Sequence, residues 1–112
     1  MSTRSDAALR RFTEGYNCAQ SVVYAFRDRF PFDEDTALRL ACGFGSGMGR
    51  KEEVCGAVSG GVLVLGATFG RGERDDSTAT ETTYRKTRAF IEAFEARRGS
   101  FLCRTLLGGC GP

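Results

Sequence analysis

Residues 52–69 read EEVCGAVSGGVLVLGATF, and this stretch decides the fold. It lies almost wholly inside a run of 17 residues, Val54 to Gly70, that carries no charge. Cys55, Val58, Val62, Leu65 and Phe69 recur at steps of three and four, which marks one face of a helix beginning near Glu52. The opposite face is apolar as well, so this helix belongs at the centre of a bundle. The run falls short of the roughly 20 residues that cross a bilayer, and five glycines interrupt it, so a buried helix is expected and no membrane span. Gly56-x-x-x-Gly60 is the small-residue spacing of tightly apposed helices. Gly56, Gly60, Gly61 and Gly66 each weaken a helix by about 0.5–1 kcal/mol relative to alanine. Close helix packing compensates for that, or else close approach of the backbone to a cofactor or a second subunit.

Working outward, the rest of the chain also reads as helix. Asp6 to Glu14 predicts a short charged helix with Leu9 and Phe12 three apart, ended by Gly15. Asn17 caps a second from Cys18 to about Phe30, with Val22, Val23, Phe26 and Phe30 at helical spacing and Pro31 as its stop. Asp33 or Asp35 caps a third that holds Ala37, Leu38, Leu40 and Ala41. Glycine at 43, 45, 47 and 49 then makes a loop. Beyond the polar segment Arg71 to Ser77, Thr78-x-x-Glu81 has the form of a capping box. It opens a long helix to Arg98 with Tyr84, Thr87, Phe90, Ile91 and Phe94 on one side. Gly99 closes that helix, Ser100 caps a last short one, and Gly108-Gly109 ends it. No stretch alternates with period two. The fold class is all-α: a small bundle of about five to six helices around the central Gly-rich helix, one domain over residues 1–112.

Five cysteines and no histidine bound the chemistry. Without histidine there is no Ser-His-Asp triad, no Cys-His pair and no histidine-containing zinc site. Five cysteines in 112 residues fall below the roughly 8–10 per cent of a secreted disulfide scaffold, and an odd number cannot pair completely. The net charge is +2, and the arginines are spread among acids, as in Arg27-Asp28-Arg29, which argues against a nucleic-acid partner. Met1 to Asp6 leads into polar residues with no apolar export segment. A cytoplasmic location with reduced thiols is therefore expected.

The cysteines are unequal. Cys18, Cys55 and Cys103 each fall at or near a predicted helix start, where free amides and the positive dipole end favour thiolate. Cys42 ends a helix after Leu40-Ala41 and reads as one more small packing residue. Cys110, among glycines near the end, could serve as a fourth metal ligand, a resolving thiol or neither. There is no Cys-x-x-Cys, so any metal site must be assembled from distant parts of the chain. The segment from Gly43 to Lys51 has glycine at alternate positions followed by Arg50 and Lys51. It lacks the spacing of a P-loop and the preceding strand of a dinucleotide site, although its amides could hold an anion or a cluster sulfide.

Four blocks occur in one order: Phe12-x-x-Gly15-Tyr16-Asn17-Cys18-Ala19-Gln20, Gly43-Phe44-Gly45-x-Gly47-Met48-Gly49, Cys55-Gly56-Ala57-x-x-Gly60 and Cys103-Arg104-x-Leu106-Leu107-Gly108. Together they resemble the C_GCAxxG_C_C proteins, small redox-active proteins of bacteria and archaea. The resemblance maps the family's cysteines onto Cys18, Cys55 and Cys103. The family's last cysteine lies farther downstream, and Cys110 is the residue nearest to it. The chain is also similar to part of the split-Soret cytochromes, helical dimers with an iron–sulfur centre besides haem. It lacks the Cys-x-x-Cys-His attachment, so haem is not implied.

Three functions follow. The first is an iron–sulfur or other metal centre ligated by Cys18, Cys55, Cys103 and Cys110, lined by Gly45, Gly47, Gly49 and Gly56, and shared between chains in a homodimer. The second is thiol–disulfide exchange, with Cys55 or Cys18 attacking and Cys103 or Cys110 resolving. The third is a non-catalytic helical interaction module. The first two require an unidentified redox partner.

Overall fold

The computed structural model of the chain describes residues 3–106. They form six helices, as the all-α reading expects: α1 (Thr3–Thr13), α2 (Cys18–Ala25), α3 (Glu34–Ala41), α4 (Gly56–Phe69), α5 (Ser77–Arg98) and α6 (Cys103–Leu106). Tight turns occupy Arg27–Arg29 and Cys42–Phe44. No strand forms among the described residues; one isolated antiparallel bridge joins Val54 to Leu102.

Local chemistry sets the boundaries. Asn17 accepts from the Gln20 amide at 2.9 Å, and Gln20 accepts from the Asn17 amide at 3.1 Å, a full capping box at the start of α2. The sequence reading carries α2 to Phe30, yet it stops at Ala25. Pro31 forces Phe30 into an extended conformation, and the turn Arg27–Arg29 absorbs the change of direction. Asp33, rather than Asp35, caps α3 through the Thr36 amide at 2.8 Å. The central helix starts at Gly56, later than Glu52, because Glu53 and Val54 are drawn out to meet the segment before α6. Asp76 caps α5 by accepting from the Thr78 amide at 2.9 Å, displacing the expected Thr78-x-x-Glu81 box. Gly99, at φ 86°, ends α5 in the left-handed conformation that favours glycine.

α2 is the hub, packed on α1, α3 and α4, while α4 also packs on α5. One core cluster holds Ala19, Val23, Ala37 and Ala41, bordered by Phe30, Phe44 and Leu63. A second holds Cys55, Val58 and Cys103, bordered by Phe90, Phe94 and Phe101 among others. Leu63 borders the first cluster and Val58 lies in the second, so α4 joins the two, as a central helix should. No helix among the described residues is long and apolar enough to cross a membrane.

The core is thin: its largest fully buried side chains are Val23, Val58 and Cys103. Backbones must therefore come close, and glycine allows it. A methyl on Gly60 would lie 3.0 Å from the Ala19 carbonyl oxygen and 3.2 Å from Val22 Cβ, whereas one on Gly66 would meet nothing within 4 Å. Gly60→Ala should lower unfolding stability by about 1–3 kcal/mol through overpacking. Gly66→Ala should raise it by about 0.5–1 kcal/mol through helix propensity. Urea denaturation of the two variants checks both signs.

Candidate functional site

Three helix starts meet in one place. Cys18 is the first residue of α2, Cys55 is the N-cap of α4, and Cys103 is the first residue of α6. Cys55 and Cys103 come together because two strand-like segments clasp each other. The Cys55 amide donates to the Phe101 carbonyl at 2.8 Å, and the Cys103 amide donates to the Glu53 carbonyl at 2.6 Å. An ion pair between Glu53 and Arg104 flanks the clasp. Cys18 joins through Gly56, where a methyl would lie 2.9 Å from the Ala19 amide nitrogen and 3.0 Å from Cys18 Cβ. Only a residue without a side chain lets α4 start this near to α2.

The loop from Gly45 to Glu52 covers the centre. Ser46, Gly47, Met48, Gly49 and Arg50 have φ of 52°, 69°, 71°, 62° and 69°, a left-handed turn, and Glu52 at 59° repeats the conformation. Non-glycine residues pay about 1–2 kcal/mol each in this region. The turn persists because the Gly49 amide donates to Gly45 O at 2.9 Å, the Glu52 amide to Ser46 O at 3.2 Å and the Glu53 amide to Gly47 O at 3.0 Å. A methyl on Gly47 would come within 2.8 Å of Cys103 Cβ, so this glycine forms the wall over that thiol. A methyl on Gly45 would collide with the Asn17 side chain. Gly45, Gly47 and Gly56, which the sequence reading assigns to lining a cofactor, are pressed against the protein's own atoms. Gly49 has no neighbour within 4 Å of an added methyl and borders an open polar cavity of about 350 Å³ with Asn17, Gln20, Cys42 and Arg50.

Burial pushes the Cys18 thiol above its ordinary pKa, and the neighbouring Cys55 and Cys103 push it further; a backbone hydrogen bond opposes them as the smallest effect. This corrects the expectation that the helix start alone would favour a thiolate at Cys18. It also records the three thiols as electrostatic neighbours. Cys18 is half-buried, Cys55 is 6 % exposed and Cys103 is fully buried. Cys42 needs a second correction: it is exposed, because α3 ends at Ala41 and the chain turns outward there. Cys110 lies outside the described residues. Among the described residues, no group of three or more Cys, Asp or Glu side chains is arranged to hold a metal ion.

Asn17 is the organising residue that the sequence reading treated only as a cap. Its amide nitrogen also donates to the Cys42 carbonyl at 2.9 Å, tying the start of α2 to the end of α3. Gln20 Nε2 reaches the Leu38 carbonyl at 3.0 Å. The Asn-x-x-Gln capping spacing was the available signal, but it says nothing of these longer reaches.

The chain matches, over residues 16–111, the family described as "Putative redox-active protein (C_GCAxxG_C_C)", and it belongs to that family. No curated protein and no solved structure matches the chain.

Two outcomes test this description of the thiols. In timed alkylation followed by mass spectrometry, Cys42 should label first of the four described cysteines and Cys103 last. The raised Cys18 pKa means the native state keeps a proton that the unfolded chain gives up. Stability should thus fall as pH rises above the ordinary thiol value of about 8.5, and Cys18→Ser should flatten that fall in urea titrations.

Proposed function

Proceeding from that family membership, we propose that the chain is a thiol–disulfide redox protein whose working pair is Cys18 and Cys55, with Cys103 as the buried third thiol beside them. The observation that carries this reading is the close approach of the α2 and α4 starts, where a methyl on Gly56 would lie 3.0 Å from Cys18 Cβ, with Cys103 packed in the same buried cluster as Cys55. Cys18 is the most exposed of the three and so makes the outward step. Its thiolate attacks a disulfide on a partner; one partner sulfur leaves as thiolate and takes up a proton. The Cys55 thiolate then attacks Cys18 Sγ and expels the second partner sulfur. The protein ends with a Cys18–Cys55 disulfide, having lost two protons and two electrons, and the partner ends as a dithiol.

The sequence reading has Cys55 or Cys18 attacking and Cys103 or Cys110 resolving. In the clasp Cys55 stands opposite Phe101, so Cys103 is diagonal to it. Cys103 packs in the same buried cluster as Cys55 and is itself fully buried, so it is the least able of the three to reach a partner. A methyl on Gly56, the residue after Cys55, would lie 3.0 Å from Cys18 Cβ, which favours pairing Cys18 with Cys55. An iron–sulfur centre would need Cys18, Cys55, Cys103 and Cys110 together. The three described thiols form no metal-holding group, so no step is assigned to a cluster.

Incubation with a small disulfide, followed by differential alkylation and peptide mapping, should find Cys18 joined to Cys55. The rate should climb with pH beyond the range of a free thiol, because only the Cys18 thiolate attacks. Cys18→Ser and Cys55→Ser should each abolish turnover, while Cys42→Ala leaves it intact. Purification without oxygen supplies the contrary outcomes. Stoichiometric iron and sulfide would replace this reading with the metal centre, and cysteines inert to alkylation until unfolding would leave only an interaction module.

A further inference from the structure

α5 carries a charge pattern that neither the fold nor the thiol centre uses. Arg85, Arg88, Glu92 and Glu95 follow one another at steps of three, four and three, which places all four on one stripe of the helix. All four are exposed, and among the described ion pairs none engages any of them. Within a single helix this order is the unfavourable one, because an acid N-terminal to its base suits the helix dipole better than the reverse. The stripe does little for its own helix.

Its symmetry suits a second helix. Two basic residues are followed by two acidic ones at mirrored spacing about position 90. When two copies of α5 cross antiparallel with a two-fold axis there, Arg88 faces Glu92 of the other copy and Arg85 faces Glu95, and each pair occurs twice. Ala89, Ala93 and Ala96 are exposed beside the stripe and leave room for another helix at the usual 8–10 Å, roughly, between axes. Tyr84, 61 % exposed, falls opposite Ala96 of the second copy in this register. No residue of α5 is buried, although its 22 residues extend about 33 Å.

We infer that α5 is a self-association surface whose partner is a second copy of this chain, docked antiparallel across the Arg85/Arg88/Glu92/Glu95 stripe. The interface is isologous, so each substitution acts twice. Nothing in it depends on the redox reading, because the four charged residues lie on α5, which carries no cysteine.

Sedimentation velocity of the full chain, with reductant present so that Cys42 cannot link copies, should show a species of twice the 12.2 kDa mass that weakens as salt is added. Glu92→Arg should set two basic residues against each other at both ends and weaken the dimer at least about tenfold. Adding Arg88→Glu to that variant reverses the pair and should restore the dimer, with unchanged circular dichroism throughout. A wild-type chain that stays monomeric at all concentrations overturns the inference. So does a dimer that Glu92→Arg leaves untouched, or one the double variant fails to recover.

Discussion

Two main-chain hydrogen bonds, Cys55 N–H to Phe101 O and Cys103 N–H to Glu53 O, are the constraint on which the rest depends. They join segments 48 residues apart, and closing such a loop costs about 3 kcal/mol in chain entropy before any constant is added. Two hydrogen bonds contribute only about 1 kcal/mol each. The balance has to come from burying Val58, Cys103 and the aromatic residues around them, at about 1.5–3 kcal/mol for a fully buried large side chain. Clasp and cluster therefore form together. Cys103 is both a packing residue of that cluster and a member of the thiol centre, so the two roles cannot be separated by mutation.

The left-handed turn over the centre follows from the same closure. Ser46, Met48, Arg50 and Glu52 hold conformations that L-residues avoid, and a free loop of this composition would relax out of them. They are kept in place because Gly47 is pinned between Glu53 and Cys103 while Gly45 is pinned against Asn17. The strain sits where buried sulfurs must be covered by backbone alone. It also explains why the glycines concentrate near Cys55: they mark places where the main chain touches the main chain or a cysteine.

Much of the architecture was legible in the residues themselves. Helical spacing identified α2, α4 and α5, and glycine or proline marked most of their ends. The boundaries that differ share one cause, which is contact between distant segments. Glu53 and Val54 have ordinary helix-compatible neighbours, yet the bridge to Leu102 draws them out of α4. Asp76 takes the place of Thr78 as the cap because its carboxylate accepts from both the Thr78 amide and the Thr78 hydroxyl, which engages the group the box would have used. At the site, helix position placed Cys18, Cys55 and Cys103 at or next to helix starts, where the structure also has them. It could not weigh burial against the dipole, so the Cys18 pKa came out reversed in direction. Exposure of Cys42 depends on where the chain turns after α3, which no spacing encodes.

The 48-residue gap inside the clasp also has a meaning in time. A ribosome adding about 5–20 residues per second makes Cys55 roughly 2–10 s before Cys103. The contacts of α2 with α4 are closer in sequence and need no residue beyond Phe69. During that interval the Cys55 amide has no Phe101 carbonyl to bind, and the second cluster lacks its fully buried sulfur. The second cluster is thus the last part of the fold that can close, because it waits for the residue made 48 positions after Cys55.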